Sequence, residues 1–210
     1  MRRHCFYYSL CVTFALLLFS ACGGKKSSSE IRHTVAEEEV VPDSSLMVRL
    51  LDVRDDSIYL EELAHHQRRT LCYGRAQLEG RVKGSLEKGD TLSVLPNYHT
   101  NHADAIINIS ELTGRWFYDH SQHRGFEFGP DGALSSINME QVSFRNWFVK
   151  NGNLVIHYVD MQQAVSNGRQ YWVDHARIER LNADELVLSF KDTLYQCRHE
   201  VAPVKFHIGM

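Results

Sequence analysis

The stretch Asn151-Gly152-Asn153-Leu154-Val155-Ile156-His157-Tyr158-Val159 is a turn followed by a strand with strict alternation. Leu154, Ile156 and Tyr158 share one face, and the residues between them share the other, which is the period of a β-strand. The same alternation recurs around Tyr171-Trp172-Val173 and in Leu186-Val187-Leu188-Ser189-Phe190. Turn signals separate these runs at Asn151-Gly152, Asn167-Gly168 and Asn182-Ala183-Asp184. Repeated hairpins predict an up-and-down sheet, which closes into a barrel because closure removes exposed edges.

The preceding residues, 46–110, predict a second and smaller β-domain. Two strands flank the turn Arg54-Asp55-Asp56, and a third strand follows. One helical turn is expected at residues 75–79, before two more strands at residues 91–95 and 105–109. Three strands, a short helix and two strands is the order of an OB-like barrel. Nucleic acid is not an expected partner, since the net charge is −3 and no basic groove or set of stacking aromatics appears.

The N-terminus has the pattern of a targeting segment. Arg2 and Arg3 precede an apolar run, residues 5–19, which ends in Phe19-Ser20-Ala21-Cys22-Gly23. This order predicts a signal peptide over residues 1–21. The small residues followed by cysteine resemble a bacterial lipobox, which implies that Cys22 is acylated, with chains such as palmitate, and becomes the first mature residue. Residues 22–45 are polar and predict a disordered tether.

The second half of the chain also carries a family pattern. The run Leu112-Thr113-Gly114-Arg115-Trp116 is a Gly-x-Trp at the head of a β-region, and Ser135-Ser136-Ile137-Asn138-Met139 precedes the Trp-bearing strand Phe144-Arg145-Asn146-Trp147. Together these motifs resemble the lipocalin-like domain of envelope lipoproteins from Bacteroidota. The resemblance implies an all-β chain, with the OB-like barrel at residues 46–110, a lipocalin-like barrel at 111–202 and a tail at 203–210.

The interior of the second barrel decides between two functions. An eight-stranded barrel either fills with side chains or holds one small ligand. If it is a cup, the candidate pocket residues are four aromatics, of which Trp147 is the strongest candidate. They are Phe126, Trp147, Tyr158 and Trp172. Aromatic side chains in a small β-domain are more often core than pocket, so the filled alternative stays open.

Catalytic and metal-binding patterns give no expected site. The chain has no Gly-x-Ser-x-Gly elbow, no Gly-rich phosphate loop and no HExxH motif, so we expect neither an enzyme nor a cofactor. Two loop-like H-x-x-H pairs, His99 with His102 and His120 with His123, could hold zinc or copper only if the loops converge, and no metal is expected. Cys72 and Cys197 lie in strand-like runs, and the sequence leaves their pairing open.

The expected function is that of a membrane-anchored lipoprotein of the bacterial envelope, held at the outer membrane, that binds a small hydrophobic ligand in its lipocalin-like domain. The alternative is a non-catalytic structural or interaction module, with another envelope protein as its partner and no small-molecule ligand. An envelope-stress adaptor is a form of this alternative. Lipoproteins of that kind place the lipocalin-like domain first, whereas this chain places it second.

Overall fold

The computed structural model describes residues 42–121, 123–167 and 170–199. The predictions for residues 1–21, for Cys22, for most of the tether and for the tail at 203–210 therefore lie outside the described residues. Within the described ranges, no helix is both long and apolar enough to cross a membrane.

The first half of the described chain is built from six strands and two short helices. They are β1 (Leu46–Arg54), β2 (Ser57–Glu62), β3 (Arg68–Cys72), α1 (Gly74–Leu78), β4 (Val82–Lys83), β5 (Thr91–Asn97), β6 (His102–Asn108) and α2 (Ile109–Leu112).

Five of these strands close into a small barrel. The order is β3-β2-β1-β5-β6, and β3 returns to β6 through a parallel pairing of Cys72 with His102. The two-residue strand β4 pairs with β6 and adds to the outside of this order. Alternate side chains of the barrel strands face a buried core, which includes Val48, Leu50 and Ile106. The predicted strand order is confirmed, with α1 between the third and fourth barrel strands.

The second half has eight strands and one helix. They are β7 (Gly114–Asp119), β8 (Arg124–Phe128), β9 (Leu134–Ile137), β10 (Val142–Lys150), β11 (Asn153–Asp160), α3 (Met161–Asn167), β12 (Tyr171–Leu181), β13 (Glu185–Phe190) and β14 (Thr193–His199).

These strands form an up-and-down barrel. The ladder runs β10-β11-β12-β13-β14-β7-β8-β9, all antiparallel, and β14 meets β7 through the pairs Arg198 with Phe117 and His199 with Trp116. Between β9 and β10, where the barrel closes, the Ser136 hydroxyl makes hydrogen bonds to the backbone of β10. It donates to the Val142 carbonyl at 2.9 Å and accepts from the Phe144 amide at 2.8 Å. The barrel is thus nearly closed, and the predicted all-β fold of two successive barrels is confirmed.

One connection differs from the expected hairpin. Residues Met161–Asn167, which follow β11, form helix α3, so Asn167 belongs to a helix, while Gly168 of the predicted turn lies outside the described residues. The Asp160 carboxylate accepts the backbone amides of Gln162 and Gln163 at 3.0 and 3.2 Å, which satisfies amides that the first helical turn leaves without partners. The helix therefore begins directly at the end of β11.

The turn between β10 and β11 joins the two barrels. Asn151 and Gly152 both have positive φ, 50° and 74°, as a two-residue type I′ turn requires. The Asn151 side chain accepts the Ser44 amide at 2.8 Å and donates to the Pro42 carbonyl at 3.2 Å. A Cβ added to Gly152 would lie 3.0 Å from the Cβ of Ala105, on β6. The last residues of the predicted tether and the first barrel thus both contact this turn.

Candidate functional site

The candidate site is the interior of the second barrel, and it is lined by aromatic rings. Antiparallel pairing places Trp116, Phe126 and Ser136 in register across β7, β8 and β9, so that their side chains share the inward face. The same face of the other strands supplies most of the barrel core. Its buried aromatic members are Trp116, Phe126, Phe128, Phe144, Trp147, Tyr158 and Phe190.

The rings pack edge to face across the barrel. Phe126 contacts Phe128 and Phe144, with ring centroids 5.6 and 6.1 Å apart. Phe190 contacts Phe144 at 5.5 Å and Tyr158 at 5.2 Å. Such pairs contribute about 0.5–1.5 kcal/mol each beyond the area they bury. The contact between Phe144 and Phe190 crosses the barrel from β10 to β13, and the other contacts join rings of the same or nearby strands, so the rings pack into one cluster in the interior.

The structure brings together three of the four predicted pocket residues. Phe126, Trp147 and Tyr158 are buried members of one cluster. Trp172 is the second residue of β12 and pairs with Tyr158 of β11. Its side chain is 39% exposed. Five clefts among the described residues are lined by other side chains and include none of these four.

Trp147 is held on both sides of its ring. Its indole Nε1 donates to the carbonyl of Gly129 at 3.0 Å, and its ring packs edge to face on Phe128 at 5.4 Å. The backbone amide of Trp147 donates to the Gly132 carbonyl at 2.8 Å. The residue therefore ties β10 to the β8–β9 connection as well as filling the interior.

Trp116 closes the end of the barrel nearest α2. It is fully buried, and its indole Nε1 donates to the Leu112 carbonyl at 2.9 Å. The His199 ring packs against it edge to face at 4.7 Å. These contacts attach the start of β7 to the end of β14.

Two tyrosine rings meet at the opposite end of the barrel, which is called the narrow end below. Tyr118 and Tyr195 meet edge to face at 5.1 Å, and burial raises the pKa of both hydroxyls. With Met139 and Val142 they line a cleft of about 160 Å³. Small-molecule pockets usually measure about 300–1,000 Å³. The cleft between these side chains is therefore smaller than a usual small-molecule pocket, and it shares Met139 with a neighbouring cleft of about 460 Å³.

The rim beside this end carries exposed apolar side chains. Tyr171 is 72% exposed and Val173 is 59% exposed, on either side of Trp172. Met161, at the start of α3, is also exposed. We call these four residues the rim patch: Met161, Tyr171, Trp172 and Val173. The alternation in the sequence predicted the strand that carries three of them, but it did not predict that their side chains are exposed.

The histidine pairs do not form a metal centre. His120 and His123 both pack against the Phe117 ring, at 6.1 and 6.2 Å, in a wide groove that also contains Arg198 and His199. His99 and His102 lie on the first barrel, at and before the start of β6. Across the described ranges, no group of three or more His, Cys, Asp or Glu side chains is placed to hold a metal ion.

The two cysteines that follow Cys22 are free thiols in different barrels. Cys197 is fully buried inside the second barrel, and burial raises the pKa of its thiol to about 12. Cys72 is partly buried on the first barrel, where its Sγ lies 3.9 Å from the Ser57 hydroxyl.

Comparison with known proteins places the second barrel in a class. Residues 108–199 match the family model described as lipocalin-like. One solved structure, described as a lipocalin-like protein from Bacteroides thetaiotaomicron, is 24% identical. The match covers 43% of this chain and 97% of that chain, with a TM-score of 0.36. No curated protein matches the chain. The family match covers the second barrel, which is thus a lipocalin-like domain, as its motifs predicted.

Proposed function

We propose that this chain is a lipid-anchored protein of the bacterial envelope whose two barrels act as a non-catalytic interaction module. The observation that carries the proposal is the filled interior of the lipocalin-like barrel. Its inward face carries aromatic rings in mutual edge-to-face contact, and none of the four predicted pocket residues lines any of the five clefts described above. A barrel of this kind supports recognition through its outer surface and rim.

The rim patch is the surface we assign to the protein partner. Its exposed side chains are those of Tyr171 and Val173, which share one face of β12, Trp172 on the other face of that strand, and Met161 at the start of α3. Tryptophan and tyrosine are enriched among the residues that dominate binding energy at protein interfaces. The expected partner is another envelope protein, and it would cover this patch with an apolar surface.

The experiment that tests the filled interior is substitution of Trp147. In a core, Trp147→Ala leaves a void and lowers the free energy of unfolding by about 3–5 kcal/mol. The matched control is Phe148→Ala, one residue further on, since Phe148 is exposed on the outer face. The control should cost less than about 1 kcal/mol.

Titration of the wild-type protein with an apolar probe is a second test of the filled interior. We expect no saturable change in tryptophan fluorescence on titration with a fatty acid. Saturable binding that Trp147→Ala abolishes, together with a small loss of stability, would overturn the proposal in favour of a ligand cup.

A second candidate function is binding of a small hydrophobic ligand at the narrow end of the barrel. It is favoured by the cleft of about 160 Å³ between Tyr118, Val142 and Tyr195. A ligand there should be lost on Tyr195→Ala and retained on Trp147→Ala. That difference separates it from binding in the interior.

The anchor is tested at Cys22, where the lipobox supports the proposal. Several buried acyl chains, at about 0.8 kcal/mol for each methylene, hold a protein firmly on a bilayer. Cys22→Ala should therefore release the protein from the membrane fraction or leave it unprocessed. A variant of mature size that still fractionates with outer membranes would contradict lipid anchoring.

A further inference from the structure

The first residues of β12 form an edge of the second barrel that no described strand covers. β11 pairs with β12 from Tyr171 to Ala176, whereas β13 pairs with it only from Ala176 onward, where Phe190 is the partner. Residues 171–175 therefore extend past the end of β13. Among the described residues, the sheet has no further strand on this side of them. We call this side of residues 171–175 the open edge.

The alternation of hydrogen bonds shows which backbone groups face the open edge. In an antiparallel strand, the amide and carbonyl of successive residues face opposite neighbours. The amide of Met161, directly after β11, donates at 2.9 Å to the carbonyl of Gln141, directly before β10. Tyr158, three residues before Met161, therefore faces the other neighbour, β12, and bonds to its register partner Trp172.

Tyr171 and Val173 lie on either side of Trp172, so their amides and carbonyls face away from β11, toward the open edge. His175 has the same orientation, but its amide donates to the Asp174 carboxylate at 2.8 Å. Tyr171 and Val173 therefore offer two amides and two carbonyls for pairing. Both side chains are exposed, and neither is the lysine or proline with which native proteins block pairing at an exposed edge.

We propose that the open edge pairs with the same edge of a second copy of this chain, as antiparallel strands related by a two-fold axis at Trp172. Tyr171 then lies opposite Val173 of the partner subunit, and the symmetry forms the reverse pair. Each of these two pairs exchanges two N–H···O=C bonds, so all the backbone groups that the two copies offer gain a partner. The next pair outward, Asp174 with Gln170 of the partner subunit, brings no like charges together.

The side chains of the open edge fit this register on both faces of the sheet. On the outer face, Tyr171 meets Val173 of the partner subunit, and an aromatic beside a β-branched side chain is a favourable cross-strand pair. On the inner face the two Trp172 rings are neighbours, and their contact buries apolar surface that is exposed in a single copy.

This inference rests on the proposed function, in which the rim patch is a docking surface, and it names a second copy of this chain as the partner. The paired edge is short, so we expect a weak dimer. Attachment of both copies to one membrane strengthens it by raising their effective concentration.

Disulfide formation between two copies tests the register. The proposed axis places the two Trp172 residues at a non-hydrogen-bonded position, where Cα atoms lie about 4.5 Å apart, within the disulfide range of about 4.4–6.8 Å. The full chain with Trp172→Cys and Cys72→Ser should therefore give a covalent dimer on mild oxidation with copper phenanthroline. Phe148→Cys in the same background is the matched control, because Phe148 is about as exposed as Trp172 but lies on β10. It should give a much lower yield.

Three results of this experiment would count against a second copy. They are the absence of a covalent dimer, equal yields from Trp172→Cys and Phe148→Cys, and a disulfide to a different envelope protein in place of the dimer. The last result would keep the rim patch as a docking surface. Failure of the inference is therefore distinguishable from failure of the proposed function, which the Trp147→Ala and fatty-acid experiments test.

A proline at the open edge tests the backbone pairing. Val173→Pro removes an amide that faces the open edge and makes no bond to β11, so the barrel keeps its ladder. It should raise the dissociation constant of the dimer at least about tenfold, because the two copies together lose two hydrogen bonds. Val173→Thr is the control, since it keeps the amide and a β-branched side chain, and it should change the constant less than about threefold.

Sedimentation equilibrium of the full chain in detergent measures both dissociation constants. Equal constants for Val173→Pro and Val173→Thr would overturn pairing through the backbone. Where Val173→Pro does not fold, the disulfide yields of Trp172→Cys and Phe148→Cys decide.

Discussion

At Gly114 the backbone has a φ of 127°, in the region that only glycine adopts without strain. A Cβ at this position would lie 2.5 Å from Nε2 of His199, whose ring packs on Trp116. The glycine and the tryptophan of the Gly-x-Trp motif thus both pack against the ring of His199. The Gly-x-Trp motif could be recognised in the sequence. The structural reason for its glycine could not, because it depends on His199, which lies 85 positions further along the chain.

Gly114→Ala should lower the free energy of unfolding by more than about 2 kcal/mol, because backbone strain and the clash with His199 add together. Gly80→Ala is the matched control. Gly80 also has a positive φ, 67°, but no atom lies within 4 Å of the added Cβ. It should cost only about 1 kcal/mol. Equal losses of stability, measured by urea denaturation, would show that the contact with His199 contributes nothing.

Burial separates the reactivity of the two cysteines in the barrels. At pH 8 an alkylating reagent should modify Cys72 and leave Cys197 unmodified, since the thiolate is the reactive form and burial raises the pKa of Cys197 to about 12. Unfolding returns this pKa to the ordinary value near 9, so the unfolded chain loses the proton first as pH rises. The contribution of Cys197 to stability should therefore fall between about pH 9 and 12. Cys197→Ala should remove that part of the pH dependence, and rapid labelling of Cys197 in the native protein would contradict its burial.

Among the elements, the long alternating strands and the short helix α1 were predicted, whereas helices α2 and α3 were not. β11 and β13 were evident because each is a short run of apolar and β-branched residues bounded by turn signals, although both strands bury residues of both faces. Helix α2 has four residues, too few to show a helical period, and it depends on the buried side chain of Asn108. Asn108 Oδ1 accepts the Glu111 amide at 3.0 Å, while Nδ2 donates to the Ser85 carbonyl and to Asp90, both at 2.8 Å. The spacing of Asn108 and Glu111 is a local signal for a helix start, but Ser85 and Asp90 are distant in the sequence, so no local pattern indicates those two contacts.

Asn108→Ala should lower the free energy of unfolding by about 1–3 kcal/mol, because it removes a helix cap and leaves buried polar groups without partners. Asn146→Ala is the control, since Asn146 is exposed on β10. It should cost less than about 0.5 kcal/mol. Thermal melting of both variants measures the difference in stability. An unchanged stability of Asn108→Ala would contradict the role of Asn108 as the cap of α2.

At the scale of the whole molecule, the number and order of the barrels followed from the sequence, but the content of the second barrel did not. The alternation of apolar residues shows which side chains point inward. The same alternation is expected whether the inward side chains fill a core or line a ligand cavity. Phe126 and Trp172 were therefore equivalent candidates. The structure separates them, because Phe126 lies mid-barrel among other rings whereas Trp172 lies at the exposed start of β12.

The most direct test of the filled interior is native mass spectrometry of the full protein, released in detergent from its own envelope. A barrel filled by its own side chains should give the mass of the acylated chain, with no apolar molecule retained. A stoichiometric apolar molecule that remains bound to the wild-type protein, and that is lost in Trp147→Ala, would contradict the account.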